Sequence, residues 1–302
     1  MITYLPHDQI DQLAWDRRLE ASGQAWWYAG STVLNAAAPG WDALVDEASG
    51  ACMPLMWRRK FGIHYLFQPF LLQHAGPYGP GPDPERAARF LEAVPRHFRY
   101  ADIMLGAEDV QPPPPWRVEQ RHDHVLPLHA GVEDLRAAYS DNHRRSVRKF
   151  SRSGLHVEAG VGSTEVIAAL EGSEQFRRWR IDAVGRASLH TVLQATERDG
   201  TGFGRMVRTA DGCLAVGWFV RHLRRIYFLK GVGTAAGREL RTMHALIDHV
   251  VEEFAGTGMV LDFAGGHDPQ LARFYAGFGA CKEVYSRALM NRLPPVVRRL
   301  KP

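Results

Sequence analysis

The sequence predicts an α/β (α+β) protein of two domains, each a mixed, mostly antiparallel sheet flanked by helices. The chain has 302 residues, which is the length of about two domains. Its second half reads as two helices, three strands, and then helix, strand, helix and strand, so that helices and strands alternate only near the end. Four consecutive prolines at 112–115 can join neither a helix nor a central strand, and they separate the two halves.

The first half opens with an amphipathic helix, because apolar residues recur near helical spacing from Ile10 to Leu19 and Gly23 follows. Two strands that flank the stretch 58–62 predict a hairpin. A Pro/Gly loop at 74–84, a helix at 85–98 and strands at 100–107 and 121–130 complete this half. We place the domain boundary near residue 128, which gives domains of 1–128 and 129–302.

The second half is more regular. Asp211-Gly212 predicts a tight hairpin turn between the first two of its three central strands, and a second turn is expected around Leu223-Arg224. The helix that follows has one apolar face, on which His244 is expected to be a core residue. The predicted elements are helices at 131–154, a strand at 155–160, helical sequence at 164–181, strands across 204–233, a helix at 238–254, a strand at 258–263, a helix at 268–278 and a strand at 281–291.

Composition restricts the classes of function. No run of 18 apolar residues predicts a membrane span, and the acidic N-terminal stretch is not a signal peptide, so a cytoplasmic location is expected. The net charge of +4 allows an anionic partner, such as a phosphate-rich cosubstrate or RNA, without requiring one; a DNA partner is not indicated. Cys52, Cys213 and Cys281 are widely spaced, which predicts reduced core thiols and no metal site.

Three stretches carry a resemblance to a known family. They are "LDFAGGHDPQLARFYAGFGA" at 261–280, "MNRLP" at 290–294 and "YSDNHRRSVRKFSRSGLHVE" at 139–158. Together they resemble the GNAT-type acyltransferases, and in particular the Fem-like branch, whose members are two GNAT domains in tandem. The first half is also similar to a Fem-like first domain, although the long helical arm of the cross-bridge enzymes is not found in this sequence.

The resemblance implies a site for the pyrophosphate of an acyl donor such as acyl-CoA. The family's loop has the pattern (Gln/Arg)-x-x-Gly-x-(Gly/Ala), and Lys230, Gly233 and Ala235 stand in those places, with Gly237 and Arg238 just beyond. Glycines let a backbone approach phosphates closely, and the start of a helix adds free N–H groups. The alternative is an ordinary glycine-rich turn between a strand and a helix.

Three residues near the last turn are candidates for proton transfer. Asp262 can act as a general base toward an attacking amine, or it can accept N–H bonds from the turn. His267 has a suitable pKa in its ordinary range, but a lone loop histidine is more often structural. The resemblance implies that Tyr275 protonates a departing thiolate, while its spacing also fits a core aromatic. Asp268-Pro269 is the expected start of a helix.

The basic helix that opens the second domain is a further candidate. Arg145, Arg148 and Lys149 can form an anion site for phosphates or for a tRNA acceptor end, and Asn142 can cap the helix or orient a carbonyl. A charge run of this kind is also typical of a solvated face. The aromatic stretch 26–28 can line a groove in the first domain or belong to its core.

The leading hypothesis is an N-acyltransferase in which an amine attacks a thioester directly, with acyl-CoA or an acyl carrier as the donor and no metal. The first alternative is Fem-like transfer from aminoacyl-tRNA to a cell-wall precursor. The second is a catalytically inactive acyltransferase fold that only binds a ligand. The acyl group, the acceptor amine and the oligomeric state are left open.

Overall fold

The computed structural model describes residues 1–23, 26–107, 109–294 and 298. The chain forms two compact units. Unit 1 comprises Met1–Arg121 and the described residues from Val284 onward, and unit 2 comprises His122–Glu283. The predicted domain boundary at residue 128 stays a prediction, because a compact unit need not be a separately folding domain.

Unit 1 contains two sheets. In the first, β2 pairs antiparallel with both β1 and β3. In the second, β4 and β5 form an antiparallel hairpin, β5 runs parallel to β6, and β6 pairs antiparallel with the end of β13. The elements of this unit are β1 (Ile2–Leu5), α1 (Gln12–Ala21), α2 (Ser31–Ala37), β2 (Asp42–Asp46), β3 (Ala51–Leu55), β4 (Trp57–Lys60), β5 (Ile63–Phe67), α3 (Arg86–Ala93), β6 (Phe98–Leu105) and parts of β7 (Trp116–Pro127) and β13 (Cys281–Asn291).

Unit 2 is built on one mixed sheet with the strand order β7-β12-β11-β10-β9-β8. Only β11 and β12 are parallel, and the other neighbours are antiparallel. Its elements after β7 are α4 (Val132–Ala137), α5 (Asp141–Ser151), β8 (Glu158–Val161), α6 (Ser163–Gly172), α7 (Glu174–Trp179), α8 (Ala183–Arg198), β9 (Gly202–Thr209), β10 (Gly212–His222), β11 (Arg225–Gly233), α9 (Ala235–Glu239), α10 (Thr242–Phe254), β12 (Val260–Asp262) and α11 (Pro269–Ala276). The predicted fold class is confirmed.

The core of unit 2 lies between this sheet and helices α4, α10 and α11. Helix α10 contributes an apolar face, as its periodicity predicts. Burial of each large apolar side chain stabilises the fold by roughly 1.5–3 kcal/mol. Fully buried members include Phe219, Ile226, Leu246, Ile247, Val250, Val251, Leu261 and Phe278.

Most predicted helices and strands of the second half are present, with three differences. The predicted helix at 238–254 is divided into α9 and α10, because Arg241 takes a left-handed conformation with φ 63°. The first hairpin turn lies one residue earlier than predicted, since Thr209 pairs with Gly212. Helix α8 was not predicted, although Asp182 caps its first turn by accepting from the Gly185 amide at 2.7 Å.

The expectation that all three cysteines lie in the core is wrong for one of them. Cys52 is buried and Cys213 is half-buried, but Cys281 is exposed at the start of β13. Within the residues that the structure describes, no helix is long and apolar enough to cross a membrane. The same residues contain no group of three or more His, Cys, Asp or Glu side chains that could hold a metal ion.

Candidate functional site

The two parallel strands of unit 2 differ in length, and their pairing stops before β11 ends. Their pairing ends where Tyr227 faces Asp262. β12 ends there, while β11 continues to Gly233. The edge of β11 that faces β12 therefore extends past its neighbour and borders an opening in the sheet, and the backbone groups along that edge can face a ligand.

A bulge in β11 lies at this opening. Phe228 pairs with Phe219 and Lys230 with Trp218, so Leu229 is an extra residue on β11. An extra residue of this kind bends its strand and increases the local twist. The bulge thus lies in the part of β11 beyond the end of β12, and it shifts Lys230 by one position relative to β10.

A cavity of about 490 Å³ occupies the opening. Its walls are mostly apolar and aromatic, with a few polar side chains, which is the usual make-up of a small-molecule site. The lining residues come from α7, β11, the α9 and α10 region, the turn after β12, and α11: Gln175, Trp179, Phe228, Leu229, Lys230, Gly231, Gly233, Arg238, Met243, Phe263, Ala264, Gly265, Gln270, Leu271, Phe274 and Tyr275.

Lys230 brings a positive charge into this apolar space. Burial disfavours the ammonium form and lowers the pKa of Lys230 to about 8. Its Nζ lies 5.8 Å from the centre of the Trp179 ring, within the range of a cation–π interaction. Lys230 is therefore mostly cationic at neutral pH and titrates slightly above it.

The loop after β11 places a second cation at the cavity. Arg238 is exposed and lines the cavity, and its Nη1 donates to the Gly233 carbonyl at 3.4 Å. Gly237 has another role, since a Cβ there would lie 2.2 Å from the carbonyl oxygen of Leu214. The close approach of α9 to β10 thus requires glycine at 237. At 233 the nearest atom to such a Cβ is 3.8 Å away, so packing does not require glycine there.

Tyr275 stands on the α11 side of the cavity. Its ring stacks on Phe263 with 4.4 Å between the ring centres, and the His124 ring is 6.0 Å away. Burial and the nearby carboxyl groups of Asp123 and Asp268 raise the pKa of Tyr275 above its ordinary value. The phenol therefore keeps its proton at neutral pH, and it can donate a hydrogen bond or a proton into the cavity.

Asp262 is fully buried, with 1% of its surface exposed, and it is not among the residues that line the cavity. Its Oδ2 accepts from Arg225 at 2.8 Å, and Arg225 also binds Glu283 at 3.0 Å. Its Oδ1 accepts from the Ala264 amide at 2.8 Å. These contacts match the interpretation that Asp262 fixes the turn.

A second buried carboxyl group, Asp123 on β7, lies against Asp262. Burial and the charge of Asp262 raise the pKa of Asp123, and burial also raises the pKa of Asp262, where Arg225 offsets part of the rise. A side-chain hydrogen bond joins the two carboxyl groups. We infer that the pair shares one proton, which Asp123 carries. Asp123 also accepts from the Gly265 amide at 2.7 Å, so the pair holds two successive amides of the turn.

The imidazole of His124 supports the same turn from below. Gly266 has φ 132°, and a Cβ there would lie 2.1 Å from Nδ1 of His124. The ring is buried, and burial lowers the pKa of His124, although the Gly265 backbone partly offsets this effect. A side chain at 266 is therefore excluded both by space and by backbone conformation.

The structure brings four of the predicted site residues to one cavity: Lys230, Gly233, Arg238 and Tyr275. Ala235 and Gly237 lie in α9 but not in the lining. Asp262 is buried outside the lining. The other predicted residues are exposed and lie outside the lining: His267, Asn142, Arg145, Arg148 and Lys149.

The starts of α11 and α5 are capped by different kinds of side chain. Asp268 caps α11 as predicted, since it accepts from the amides of residues 270 and 271. Asn142 does not cap α5, because Ser140 does so by accepting from the His143 amide. His244 is half-buried against Phe274, and burial lowers its pKa to about 4, which agrees with a packing role.

Sequence reasoning missed Asp123, His124 and Trp179. The stretch 121–130 is predicted as a strand, and Asp123 and His124 stand at adjacent positions in it, just before an apolar run. Adjacent side chains of a strand point to opposite faces, so each face of this strand carries one polar side chain, and that is the signal that could have located them. Trp179 is the last residue of α7, directly before Arg180 in a left-handed conformation. Nothing in its local sequence indicates that it meets a strand 50 residues later.

Comparison with known proteins identifies the fold. No family model matches the chain, and no curated protein matches it. Among solved structures, FemX has a TM-score of 0.68 at 10% identity, with 99% of each chain covered. A tandem GNAT protein from the clavulanic acid biosynthesis pathway, solved without acetyl-CoA, has a TM-score of 0.53 at 13% identity and covers 97% of this chain and 99% of its own. L-PGS from Bacillus licheniformis has a TM-score of 0.51 at 12% identity, with 94% of each chain covered. The chain therefore has the fold of the Fem-like, tandem-GNAT proteins.

Proposed function

We propose that this protein is an N-acyltransferase that moves an acyl group from a thioester donor to an amine. The observation that carries the proposal is the cavity between β11 and β12, which has the cations Lys230 and Arg238 on one side and the phenol of Tyr275 on the other. The likeness to the tandem GNAT protein of the clavulanic acid pathway, which was solved without acetyl-CoA, supports a donor of this kind.

The residues present fit a coenzyme A thioester. Arg238 lies at the exposed end of the cavity, where it can pair with phosphate oxygens. Trp179, Phe228 and Met243 give apolar walls that suit an acyl chain and the arm that carries it. The volume of about 490 Å³ accommodates that arm and an acyl group, while the nucleotide would stay outside.

The reaction needs no covalent enzyme intermediate. The amine nitrogen attacks the thioester carbonyl carbon, a C–N bond forms, and the carbonyl oxygen becomes an oxyanion. Amides on the free edge of β11 near Leu229 can stabilise that oxyanion. The C–S bond then breaks and the thiolate takes the proton of Tyr275. The proton that the attacking amine loses passes through water to the Tyr275 phenolate, which restores the phenol. The net products are an amide and a thiol.

Within this proposal Asp262 is a positioning residue. Its two oxygens are engaged by Arg225 and the Ala264 amide, and its side chain is shielded from the cavity. Lys230 lines the cavity and is mostly cationic at neutral pH, so it is assigned to binding the donor and not to accepting the proton of the amine. His267 is assigned no part in the reaction.

Aminoacyl-tRNA is the second candidate donor. Arg145, Arg148 and Lys149 are exposed on α5 and lie outside the cavity, as contacts to an RNA backbone would. The structural similarity to FemX over the whole chain favours keeping this candidate. A donor of this kind would bind with a steep dependence on salt, which a coenzyme A thioester held mainly by Arg238 and Lys230 would not show.

Calorimetric titration with acetyl-coenzyme A tests the proposal. We expect micromolar binding that Arg238→Ala weakens at least tenfold, because one charge-assisted phosphate contact is worth roughly 1.5–3 kcal/mol. Arg221→Ala is the matched control, since Arg221 is exposed in the same unit and does not line the cavity. Absence of binding at millimolar acetyl-coenzyme A, together with salt-sensitive binding of aminoacyl-tRNA that Arg145→Ala weakens, would favour the second candidate. Absence of both would leave a fold that binds neither donor.

A further inference from the structure

A hairpin of unit 1 presents a phenylalanine to solvent at its tip. β4 and β5 are joined by Phe61 and Gly62, with Lys60 paired to Ile63. Phe61 is 92% exposed and has φ 51°, and Gly62 has φ 78°. Glycine or asparagine normally fills the first position of such a turn, because a bulky side chain is strained there. Neither the turn nor the core of unit 1 gives a reason for a phenylalanine at this position.

Three cationic residues come directly before this ring in the sequence. Arg58, Arg59 and Lys60 precede it directly, and the sequence from Ala48 to Pro82 contains no aspartate or glutamate. Lys60 Nζ lies 5.6 Å from the centre of the Phe61 ring. Arg59 and Lys60 are exposed, so both can reach a partner that the ring also touches.

The neighbouring strands bring more positive charge to the same end of the sheet. Arg59 pairs with His64 and His64 pairs with Phe98, so Arg59 lies two strand spacings, about 10 Å, from the start of β6. There the Arg292 amide donates to the Arg99 carbonyl at 2.8 Å, and Nε of Arg99 donates to the Arg292 carbonyl at 3.1 Å.

These arginines are close to one another without an acidic neighbour among the described residues. The charges of Arg96 and Arg99 act with burial to lower the pKa of Arg292. Its Nη1 is buried and, within the part of the chain that the structure describes, has no hydrogen-bond partner. Like charges held together in this way favour an anionic partner.

We propose that unit 1 docks on the surface of an anionic lipid bilayer, with the Phe61 ring entering the headgroup region and the neighbouring cations contacting lipid phosphates. An apolar ring at a convex tip with cations behind it matches the layered chemistry of that surface. Single-stranded RNA also combines phosphates with stacking, but proteins that bind it place several aromatic rings along a basic groove. Phe61 is a single ring at a turn, which favours the bilayer. The proposal goes beyond the proposed acyl transfer and does not depend on it.

Cosedimentation with phosphatidylcholine vesicles, with and without 30% phosphatidylglycerol, tests the inference on the full chain. We expect binding only to the anionic vesicles, weakened by salt. Phe61→Asn should lower the partition coefficient about tenfold, since most of the apolar gain of one aromatic side chain is lost. It should leave thermal stability unchanged or higher, because asparagine accepts a left-handed conformation. The double variant with Arg59→Gln and Lys60→Gln should lower the partition coefficient about thirtyfold, because it removes two cationic contacts with the lipid surface.

Leu223→Asn is the matched control. Leu223 is 69% exposed at a hairpin turn of unit 2, has a positive φ of 50° and is flanked by the exposed Arg221 and Arg224, so the substitution makes the same kind of change at a comparable hairpin of the other unit. It should leave vesicle binding intact. The inference is overturned by equal binding to neutral vesicles, by full binding of Phe61→Asn, or by an equal loss in Leu223→Asn. It is also overturned if wild-type protein ignores vesicles and instead binds an RNA oligonucleotide in a manner that Phe61→Asn abolishes.

Discussion

Asp123→Asn is the most informative substitution in the molecule. If the pair with Asp262 holds one proton on Asp123, asparagine reproduces a neutral side chain of nearly the same shape. Its oxygen can still accept from the amides of His124 and Gly265, which bind Asp123 at 2.6 and 2.7 Å. Its amide can still donate to Asp262. We therefore expect the variant to fold and to keep the turn after β12.

The pH dependence gives the magnitude. An unfolded aspartate loses its proton around pH 3.9, while burial and the neighbouring charge raise the pKa of Asp123 in the folded chain. Above pH 4 the folded state therefore binds one more proton than the unfolded state. The free energy of unfolding of the wild type falls by about 1.4 kcal/mol per pH unit from this group until its folded pKa is reached. Asparagine has no such proton. Between pH 5 and pH 7 the free energy of unfolding of the variant should therefore rise relative to that of the wild type by up to about 2.7 kcal/mol.

Urea unfolding of both proteins at pH 5, 6 and 7 measures this difference. Asp262→Asn provides the contrast, because it removes the buried charge that faces Arg225 and leaves that cation with Glu283. It should destabilise the protein by about 3 kcal/mol at pH 7. A difference between Asp123→Asn and wild type that stays constant from pH 5 to pH 7 would refute the shared proton. A large loss in Asp123→Asn at pH 7 would show that the charge resides on Asp123.

Three further predictions concern the cavity. Tyr275→Phe should lower kcat of the proposed transfer about a hundredfold with little change in KM for the donor, because it removes only the proton donor; an unchanged kcat assigns Tyr275 to packing. The affinity for acetyl-coenzyme A, measured by calorimetry from pH 6.5 to 9, should fall as the pH rises through about 8, where Lys230 loses its charge. Lys230→Met should bind weakly without that pH dependence. A wild-type affinity that is constant across this range contradicts a role of the Lys230 charge in binding the donor. Gly237→Ala should lower the free energy of unfolding by about 2 kcal/mol, because its Cβ meets the Leu214 carbonyl at 2.2 Å, whereas Gly233→Ala should cost under 1 kcal/mol; equal effects in thermal unfolding would contradict this difference.

Local sequence predicted the fold where periodicity and turn residues agree. The hairpin at 58–62 and the turn at Leu223-Arg224 are both present, because two apolar runs separated by a short polar stretch have few other ways to pair. Helix α10 follows from its apolar face, but its start does not. The break before it depends on the left-handed Arg241, a residue with no intrinsic preference for that conformation.

Only part of the candidate site could be predicted. Lys230, Gly233 and Arg238 lie within nine residues of one another, so a local motif contains them. The partners of the turn after β12 could not be found in this way. The amide of Gly265 binds a carboxyl group 142 residues earlier in the chain, and such a pairing is decided by which strands become neighbours in the sheet. The bulge at Leu229 has no marker either, since no glycine or proline stands there.

The surroundings of Asp262 bear on the two roles that the sequence leaves open. An acid at the end of an apolar strand near a glycine turn can be a general base or can anchor the turn. The contacts favour the anchor, because Arg225, the Ala264 amide and Asp123 surround the carboxylate and it is not part of the cavity lining. The cost of burying two carboxyl groups is reduced by one proton and one arginine, and the result is a rigid turn whose backbone forms a wall of the cavity. The acid thus acts on the proposed reaction through the geometry of residues 264–266, and Tyr275 and Lys230 are the groups that can meet a substrate.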